Sequence, residues 1–164
     1  MITRVLVATD RSDSADTAVR WAADMANRYE AELVVLQVVL PRAEHGEGDG
    51  QVEPATHHVL SDLATFAKEL AGDRGHARVV VDEDPARAIV QMSEDADVDA
   101  VVVGNLGMSG RTSFLLGNVP NRVSHNARCD VIIVNTARAV SPEREGRAVP
   151  IPTLPHIAEE EAEV

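Results

Sequence analysis

The residues best suited to chemistry in this chain are three spaced glycines followed by an amide side chain. Two residues separate Gly104 from Gly107, nine separate Gly107 from Gly117, and Asn118 follows at once. Glycines let a backbone approach an anion closely, and the free N–H groups at the start of a helix point at such an anion. The spacing therefore predicts a loop that holds phosphate.

The elements on either side of this loop must position it. Residues 101–103 form an apolar run of strand length and composition, and residues 131–134 form another. Between the loop and the second run, Asn118 is placed to cap a helix that has Pro120 in its first turn. A strand, a glycine loop and a helix N-terminus form an arrangement suited to binding phosphate.

Each group of the loop has a role that follows from its chemistry. The N–H groups of residues 107–111 are one set of candidate phosphate donors, and those of Asn118 and Val119 are a second. Pro120 lacks an N–H group, so it shapes the turn without donating. Three polar side chains of the loop add candidate contacts: Ser109, Arg111 and Thr112.

The spacing is not the dinucleotide fingerprint, and no Gly-Lys-Ser/Thr of a Walker loop occurs. It resembles the universal stress protein family, whose nucleotide-binding members carry glycines at the same spacing followed by Ser or Thr. The resemblance covers about residues 1–137 and is strongest over 104–118. Asn118 departs from Ser or Thr, but its amide can still donate a hydrogen bond to phosphate.

Five apolar runs with strand character alternate with four helical patterns. The strands are expected at 4–9, 32–40, 77–81, 101–103 and 131–134. The first helix is expected to be capped by Ser12 and to end near residue 28, and the second to span 54–71, with Leu60 and Leu63 facing inward. The third is expected to span 85–96 with Asp84 as its cap, and the fourth to be capped by Asn118. This alternation predicts an α/β fold, an open five-stranded parallel sheet with helices on both faces. Right-handed crossovers allow the strand order 3-2-1-4-5, which the resemblance also implies.

In that order the sheet reverses its winding between its first and fourth strands. Ligands bind at such switch points, beyond the carboxyl ends of the strands. Asp10 follows the first strand and Gly104 ends the fourth, so the two meet there. A carboxylate contacts phosphate favourably only through a cation, which makes Mg²⁺ or a ribose hydroxyl the expected partner of Asp10.

The resemblance implies an adenine pocket lined by Ala8 and Val38, where backbone groups of the first two strands contact the base. The complete set of predicted nucleotide-binding residues is Ala8, Thr9, Asp10, Val38, Gly104, Asn105, Gly107, Met108, Ser109, Gly110, Arg111, Gly117, Asn118, Val119 and Pro120. Structural roles compete with four of these assignments. Gly104 can serve packing alone, Asn118 capping alone and Asp10 a turn alone, and Arg111 is more readily explained as a solvated side chain.

The turn before the third helix departs from the family. Members often have Gly-x-Pro there, whereas this chain has Glu83, Asp84 and Pro85. We expect this turn to lie outside the phosphate site. If it reaches the ligand, its carboxylates would weaken the binding of a nucleotide.

Length and composition bound the remaining possibilities. The 164 residues indicate one domain, over 1–137, followed by an acidic, proline-containing tail at 138–164 that we expect to be extended or disordered. A net charge of −12 argues against nucleic-acid and acidic-membrane partners. The absence of an 18-residue apolar run and of a signal pattern predicts a soluble, cytoplasmic protein.

Other chemistry-bearing residues give weaker signals. The single cysteine, Cys129, is expected to be a small buried residue rather than a reactive thiol. His45, His57 and His58 lie near several carboxylates, but their spacing matches no ligand pattern, and solvated surface is the favoured interpretation.

Three functions are compatible with these residues. The leading hypothesis is a stress-response or regulatory protein that binds an adenine nucleotide, most simply ATP with Mg²⁺. Some members of the resembled family bind cyclic AMP, and a glycine loop does not count phosphates. An enzyme is the second hypothesis, limited to slow ATP hydrolysis, because no Ser-His-Asp order or paired-carboxylate motif stands out.

The third hypothesis is a stress scaffold without a nucleotide. The resemblance implies dimers that form through the last strand, and residues 131–135 are short, apolar and at the sheet edge in the proposed order. Such an edge is normally covered or paired. The sequence therefore predicts a homodimer.

Overall fold

The structure is a computed structural model that describes residues 1–41, 52–105 and 118–136. Most of the glycine loop, the segment that contains His45, and the tail lie outside the described residues. The elements are β1 (Arg4–Thr9), α1 (Asp13–Tyr29), β2 (Glu32–Val39), α2 (Val52–Ala71), a 3-10 turn (Gly72–Arg74), β3 (Gly75–Val81), α3 (Pro85–Asp95), β4 (Ala100–Gly104), α4 (Asn118–Asn126) and β5 (Asp130–Val134). No helix within these ranges is both long and apolar enough to cross a membrane.

The five strands form one parallel sheet in the order β3-β2-β1-β4-β5. This confirms the predicted fold and strand order. Pairing between β1 and β2 extends from Arg4 to Thr9 on β1. Pairing between β1 and β4 is shorter and joins only residues 5–7 to residues 100–102.

Helices cover both faces of the sheet, which explains why the strands are continuously apolar. Along β1, Val5 and Val7 pack with α1 and α2, whereas Leu6 packs with α3 and α4. All three side chains are fully buried. Because neighbouring strand residues point to opposite faces, a strand between two helical layers must be apolar at every position.

The helix starts follow the predicted capping chemistry at α1 and α3. Ser12 caps α1, where its hydroxyl accepts from the N–H of Ala15 at 3.3 Å. Asp84 caps α3, and Pro85 is the first helical residue. At α4, Asn118 lies within the helix rather than before it as the cap.

Two boundary and burial predictions were wrong for identifiable reasons. Leu60 is 39% exposed rather than buried. It lies about 60° around the helix from the buried Leu63, at the border of the apolar stripe. The third strand begins at Gly75, two residues before the prediction, because this glycine packs directly against the backbone of Ala67.

Candidate functional site

An open cleft lies beyond the carboxyl ends of β1 and β4. Its empty space, which includes part of the open mouth, is about 610 Å³. The described residues that line it are mostly apolar: Ala8, Thr9, Asp10, Ala15, Val38, Pro85, Ile89, Val103, Gly104, Val119 and Pro120. An apolar cleft with few polar groups suits a flat, mainly apolar group such as a base.

The cleft begins where the two central strands separate. Pairing of β1 with β4 stops at Val7 and Val102, although both strands continue for two more residues. The four residues past this point, Ala8, Thr9, Val103 and Gly104, all line the cleft. Beyond this point, the facing edges of β1 and β4 are not joined by strand pairing. Backbone donors and acceptors in this part of the strands are groups that a ligand in the cleft could bond.

Asp10 stands at the mouth of this cleft, in the loop between β1 and α1. Its Oδ1 accepts from the N–H of Ser12 at 3.0 Å and from the Ser12 hydroxyl at 2.6 Å. The Asp10 side chain is exposed. These bonds orient the carboxylate through one oxygen, and within the described residues Oδ2 accepts no hydrogen bond.

Arg11, the next residue, packs against α2. Its backbone is left-handed, with φ of 63°, and its N–H donates to the hydroxyl of Thr9 at 3.0 Å. The guanidinium lies over the ring of Phe66 in α2, 4.2 Å from its centroid. This cation–π contact ties the loop to α2.

The first turn of α4 forms the opposite wall. Val119 is half-buried and Pro120 is buried, and both line the cleft. Asn118 is exposed at the first helical position. The start of α4, where backbone N–H groups lack helical partners, therefore borders the cleft.

Asn105, which we predicted to contact the nucleotide, bonds the segment after β5. Its Oδ1 accepts from the N–H and the hydroxyl of Thr136, at 2.8 and 3.0 Å. Thr136 is 2% exposed. The side-chain oxygen of Asn105 is therefore bonded to the segment after β5, and Asn105 is not among the described residues that line the cleft.

The turn before α3, which we expected to lie outside the phosphate site, reaches the cleft through Pro85. Pro85 lines the cleft, and Asp84 directly precedes it. Both oxygens of Asp84 accept from Arg122 of α4, Oδ1 from Nη1 at 2.8 Å and Oδ2 from Nη2 at 2.6 Å. This bidentate pair is the main cause that lowers the pKa of Asp84, and the N-cap bond from the Arg87 N–H adds to it.

The structure thus brings together predicted residues from four separate segments of the chain. Seven of them line the cleft: Ala8, Thr9, Asp10, Val38, Gly104, Val119 and Pro120. Six others, Gly107, Met108, Ser109, Gly110, Arg111 and Gly117, lie outside the described residues. Sequence reasoning missed four lining residues, Ala15, Pro85, Ile89 and Val103. Pro85 could have been predicted from its position just after another parallel strand, because the carboxyl ends of all parallel strands lie at one edge of the sheet.

Metal-ligating clusters do not occur among the described residues, where no three His, Cys, Asp or Glu side chains lie close enough together. His45 is outside the described ranges. Cys129 is half-buried, and burial raises the pKa of its thiol.

A five-stranded parallel sheet with a cleft at its switch point places this chain in the open α/β class, whose members bind ligands beyond the strand ends. Comparison with known protein families narrows this class. The profile of the universal stress protein family matches residues 1–135. The chain therefore belongs to the universal stress protein family, as its glycine spacing predicted.

Individual relatives span nearly the same length. Universal stress protein Rv1636 of Mycobacterium tuberculosis (strain ATCC 25618 / H37Rv) is 34% identical over 141 residues, which is 80% of this chain and 95% of that protein. Universal stress protein YxiE of Bacillus subtilis (strain 168) is 29% identical over 147 residues, 82% of this chain and 99% of its own. A universal stress protein solved in complex with cAMP is 28% identical with a TM-score of 0.63, over 82% of this chain and 98% of that one.

Proposed function

We propose that this protein binds an adenine nucleotide in the cleft and acts as a stress-response or regulatory protein. The observation that carries the proposal is the separation of β1 from β4, which leaves Ala8, Thr9, Val103 and Gly104 lining an apolar space. A base has a flat apolar face and hydrogen-bonding edges, so it matches a cleft with apolar walls and backbone groups at its floor. The relative solved with cAMP supports the same ligand class.

The phosphates would lie towards the first turn of α4 and the glycine loop. Val119 and Pro120 place that helix start at the cleft, and an anion there is favoured by free N–H groups and by the helix dipole. The spacing of Gly104, Gly107 and Gly117 remains the argument for the loop itself.

The ligand we favour is ATP with Mg²⁺. Asp10 fits a role in holding the cation, because its exposed carboxylate is oriented through Oδ1 by Ser12. Mg²⁺ in such sites takes one or two carboxylates together with phosphates and waters. When bound, Mg²⁺ would offset the charge of the phosphates. Cyclic AMP is the second candidate, supported by the relative in complex with it, and it needs no cation.

The decisive experiment identifies the ligand and then localises it. Nucleotide released from the purified, denatured protein is identified by mass spectrometry, and ATP and cyclic AMP are titrated by calorimetry with and without Mg²⁺. Asp10→Asn should weaken Mg²⁺-dependent ATP binding while leaving cyclic AMP binding unchanged. Asp13→Asn, an exposed carboxylate in the first turn of α1, is the matched control and should change neither.

A second variant tests the cleft rather than the cation. Ala15 is half-buried in the first turn of α1 and lines the cleft. Ala15→Leu keeps a good helix former there and adds bulk to the lining, so it should weaken ATP and cyclic AMP alike. Gly117→Val tests the glycine loop. If the unmodified protein binds neither nucleotide, the proposal fails, and the alternative is a scaffold without nucleotide.

The predicted homodimer is tested by the state of assembly. β5 is the edge strand next to β4 and includes Ile133, which is 36% exposed. We propose that residues 131–135 pair with a second copy of the chain, because an apolar strand edge is normally covered. Sedimentation at micromolar concentration should give a dimer, and Ile133→Lys should shift it towards a monomer. A monomer in the unmodified protein would contradict the pairing.

A further inference from the structure

The acidic turn (residues 82–84) carries three carboxylates and leads directly into a residue that lines the cleft. Asp84 directly precedes Pro85, which lines the cleft, and Ile89 one turn later lines it as well. The chain already has a net charge of −12. An anionic ligand would therefore meet repulsion at this rim unless the carboxylates are compensated.

Two guanidinium groups provide that compensation, one for each aspartate. Arg87 Nη2 donates to Asp82 Oδ1 at 2.7 Å, and its side chain is largely exposed. Arg122 holds Asp84 through two bonds of 2.8 and 2.6 Å. A bidentate pair of this kind fixes both partners in direction as well as distance.

Arg122 reaches Asp84 from the other wall of the cleft. It follows Pro120 by two residues in α4, and Pro120 lines the cleft. The Asp84 carboxylate in turn caps α3 by accepting from the N–H of Arg87 at 3.2 Å. The ion pair therefore joins the start of α3 to the middle of α4, the two helices that border the cleft on this face.

We propose that Arg122 is a specificity-determining residue, which makes the acidic turn compatible with an anionic ligand by cancelling the charge of Asp84. This inference rests on the proposed function, because it concerns a ligand in the same cleft. Without Arg122, an ionised Asp84 would disfavour each ligand in proportion to that ligand's negative charge. A purely structural role, in which the pair only holds α3 against α4, would weaken charged and uncharged ligands alike.

The test measures the binding of three ligands of increasing negative charge: adenosine, cyclic AMP and ATP with Mg²⁺. They are titrated by calorimetry at low ionic strength against the unmodified protein and Arg122→Gln. Arg122→Gln should weaken ATP binding about three- to tenfold, as expected of one unpaired charge within about a Debye length. Cyclic AMP should lose less, and adenosine should be unaffected.

Asp84→Asn and the double variant complete the cycle. Asn is as good a helix cap as Asp, so Asp84→Asn removes the charge and keeps the start of α3. It leaves Arg122 unpaired near the cleft and should tighten ATP binding. The double variant Asp84→Asn, Arg122→Gln should return ATP affinity to within about twofold of the unmodified protein, since neither charge remains.

Arg128→Gln is the matched control. Arg128 pairs with Glu94 at 3.2 Å, is exposed, and precedes β5 at the end of the sheet opposite the cleft. It removes the same charge and should leave all three affinities unchanged. Thermal unfolding of every variant shows that each is folded.

The outcomes separate the two proposals. Equal weakening of all three ligands in Arg122→Gln, or no weakening of ATP, overturns the role of Arg122 while nucleotide binding stands. Failure of the double variant to recover ATP binding also overturns it. If the unmodified protein binds none of the three ligands, the proposed function falls, and Arg122 is then only a link between α3 and α4.

Discussion

The side chain of Asn105 accepts two hydrogen bonds from Thr136, from its N–H at 2.8 Å and from its hydroxyl at 3.0 Å. Asn105 directly follows β4, and Thr136 lies just beyond β5. The N–H of Asn105 also donates to the carbonyl oxygen of Val134 at 2.9 Å. The carboxyl ends of the two strands are therefore joined by side chain and by main chain, where the glycine loop begins.

Asn105→Ala should reduce the free energy of unfolding by about 1–3 kcal/mol, because it leaves two buried donors of Thr136 without their acceptor. Thr136 is only 2% exposed, so water does not readily replace the lost bonds. Urea unfolding followed by circular dichroism measures the loss. Thr136→Val keeps the N–H bond and should cost less. Equal stability of Asn105→Ala and the unmodified protein would contradict this account.

Gly75→Ala should be severely destabilising. A Cβ at this residue would lie 2.0 Å from the carbonyl oxygen of Ala67, and Ala67 is fully buried. Relief requires α2 and β3 to move apart, which we expect to cost about 3 kcal/mol or more.

Gly72→Ala is the matched control for Gly75→Ala. A Cβ at Gly72 meets nothing within 4 Å, but the residue has a left-handed backbone with φ of +58°. The expected cost is therefore only about 1–2 kcal/mol, from the backbone alone. Thermal and urea unfolding should show that Gly75→Ala is much less stable than Gly72→Ala. The reverse order would show that the packing of β3 on α2 adapts.

Arg74→Met should loosen the end of α1. Arg74 Nη1 donates to the carbonyl oxygens of Ala31 at 3.0 Å and Ala26 at 3.3 Å, and Nη2 donates to Asn27 Oδ1 at 3.1 Å. The Ala26 carbonyl also accepts from the N–H of Ala31 at 2.8 Å, so the loss falls mainly on the carbonyl of Ala31, a buried residue just past the helix, and on Asn27. We expect a loss of about 1–3 kcal/mol in urea unfolding.

The control for Arg74 is another arginine near the end of the same helix. Arg28→Met removes a guanidinium that pairs with Asp24 on the exposed surface of α1 at 2.8 Å. Exposed pairs of this kind contribute little. The stability of Arg28→Met should match that of the unmodified protein. A loss as large as that of Arg74→Met would show that the lost charge, rather than the lost carbonyl contacts, causes the destabilisation.

The stability contributed by Asp99 should depend on pH. Its Oδ2 accepts from the N–H of Thr3 at 2.6 Å, from the N–H of Arg4 at 2.9 Å and from the Thr3 hydroxyl at 2.9 Å. These bonds, the Thr3 N–H first, lower the pKa of Asp99 below its ordinary value of 3.8. Folding therefore favours the ionised form.

Because the folded pKa is the lower one, this contribution is fully present above the unfolded value and is lost as the pH falls through the folded pKa. Asp99→Asn should thus destabilise the protein clearly at pH 7 and much less near roughly pH 3. Urea unfolding at both pH values gives the difference. A destabilisation by Asp99→Asn that is the same at both pH values would show that ionisation is irrelevant there.

Local patterns were enough to predict most of the fold. The apolar runs, Ser12 and Asp84 as caps, and the placement of Asp10 and Gly104 at one edge all follow from short-range chemistry and strand order. Two features that the sequence did not predict depended on contacts between distant segments. The start of β3 at Gly75 depends on α2, and the bond from Thr136 to Asn105 depends on the path after β5.

The pair of Asp84 and Arg122 shows the same limit at the site. A run of acidic residues in the sequence predicts repulsion of an anion, and only the folded chain brings a guanidinium onto one of them. Side-chain pairing between helices is set by the angle and separation at which they pack, and these quantities have no local signature.

The gap between β1 and β4 has a consequence for the order in which the protein acquires its cleft. The two strands come from opposite halves of the chain, with β2, β3 and three helices between them. A growing polypeptide that has not yet reached Ala100 has only one side of the gap. The cleft is therefore formed late in synthesis, and a chain truncated before β4 has no place for the ligand, however well its first half is folded.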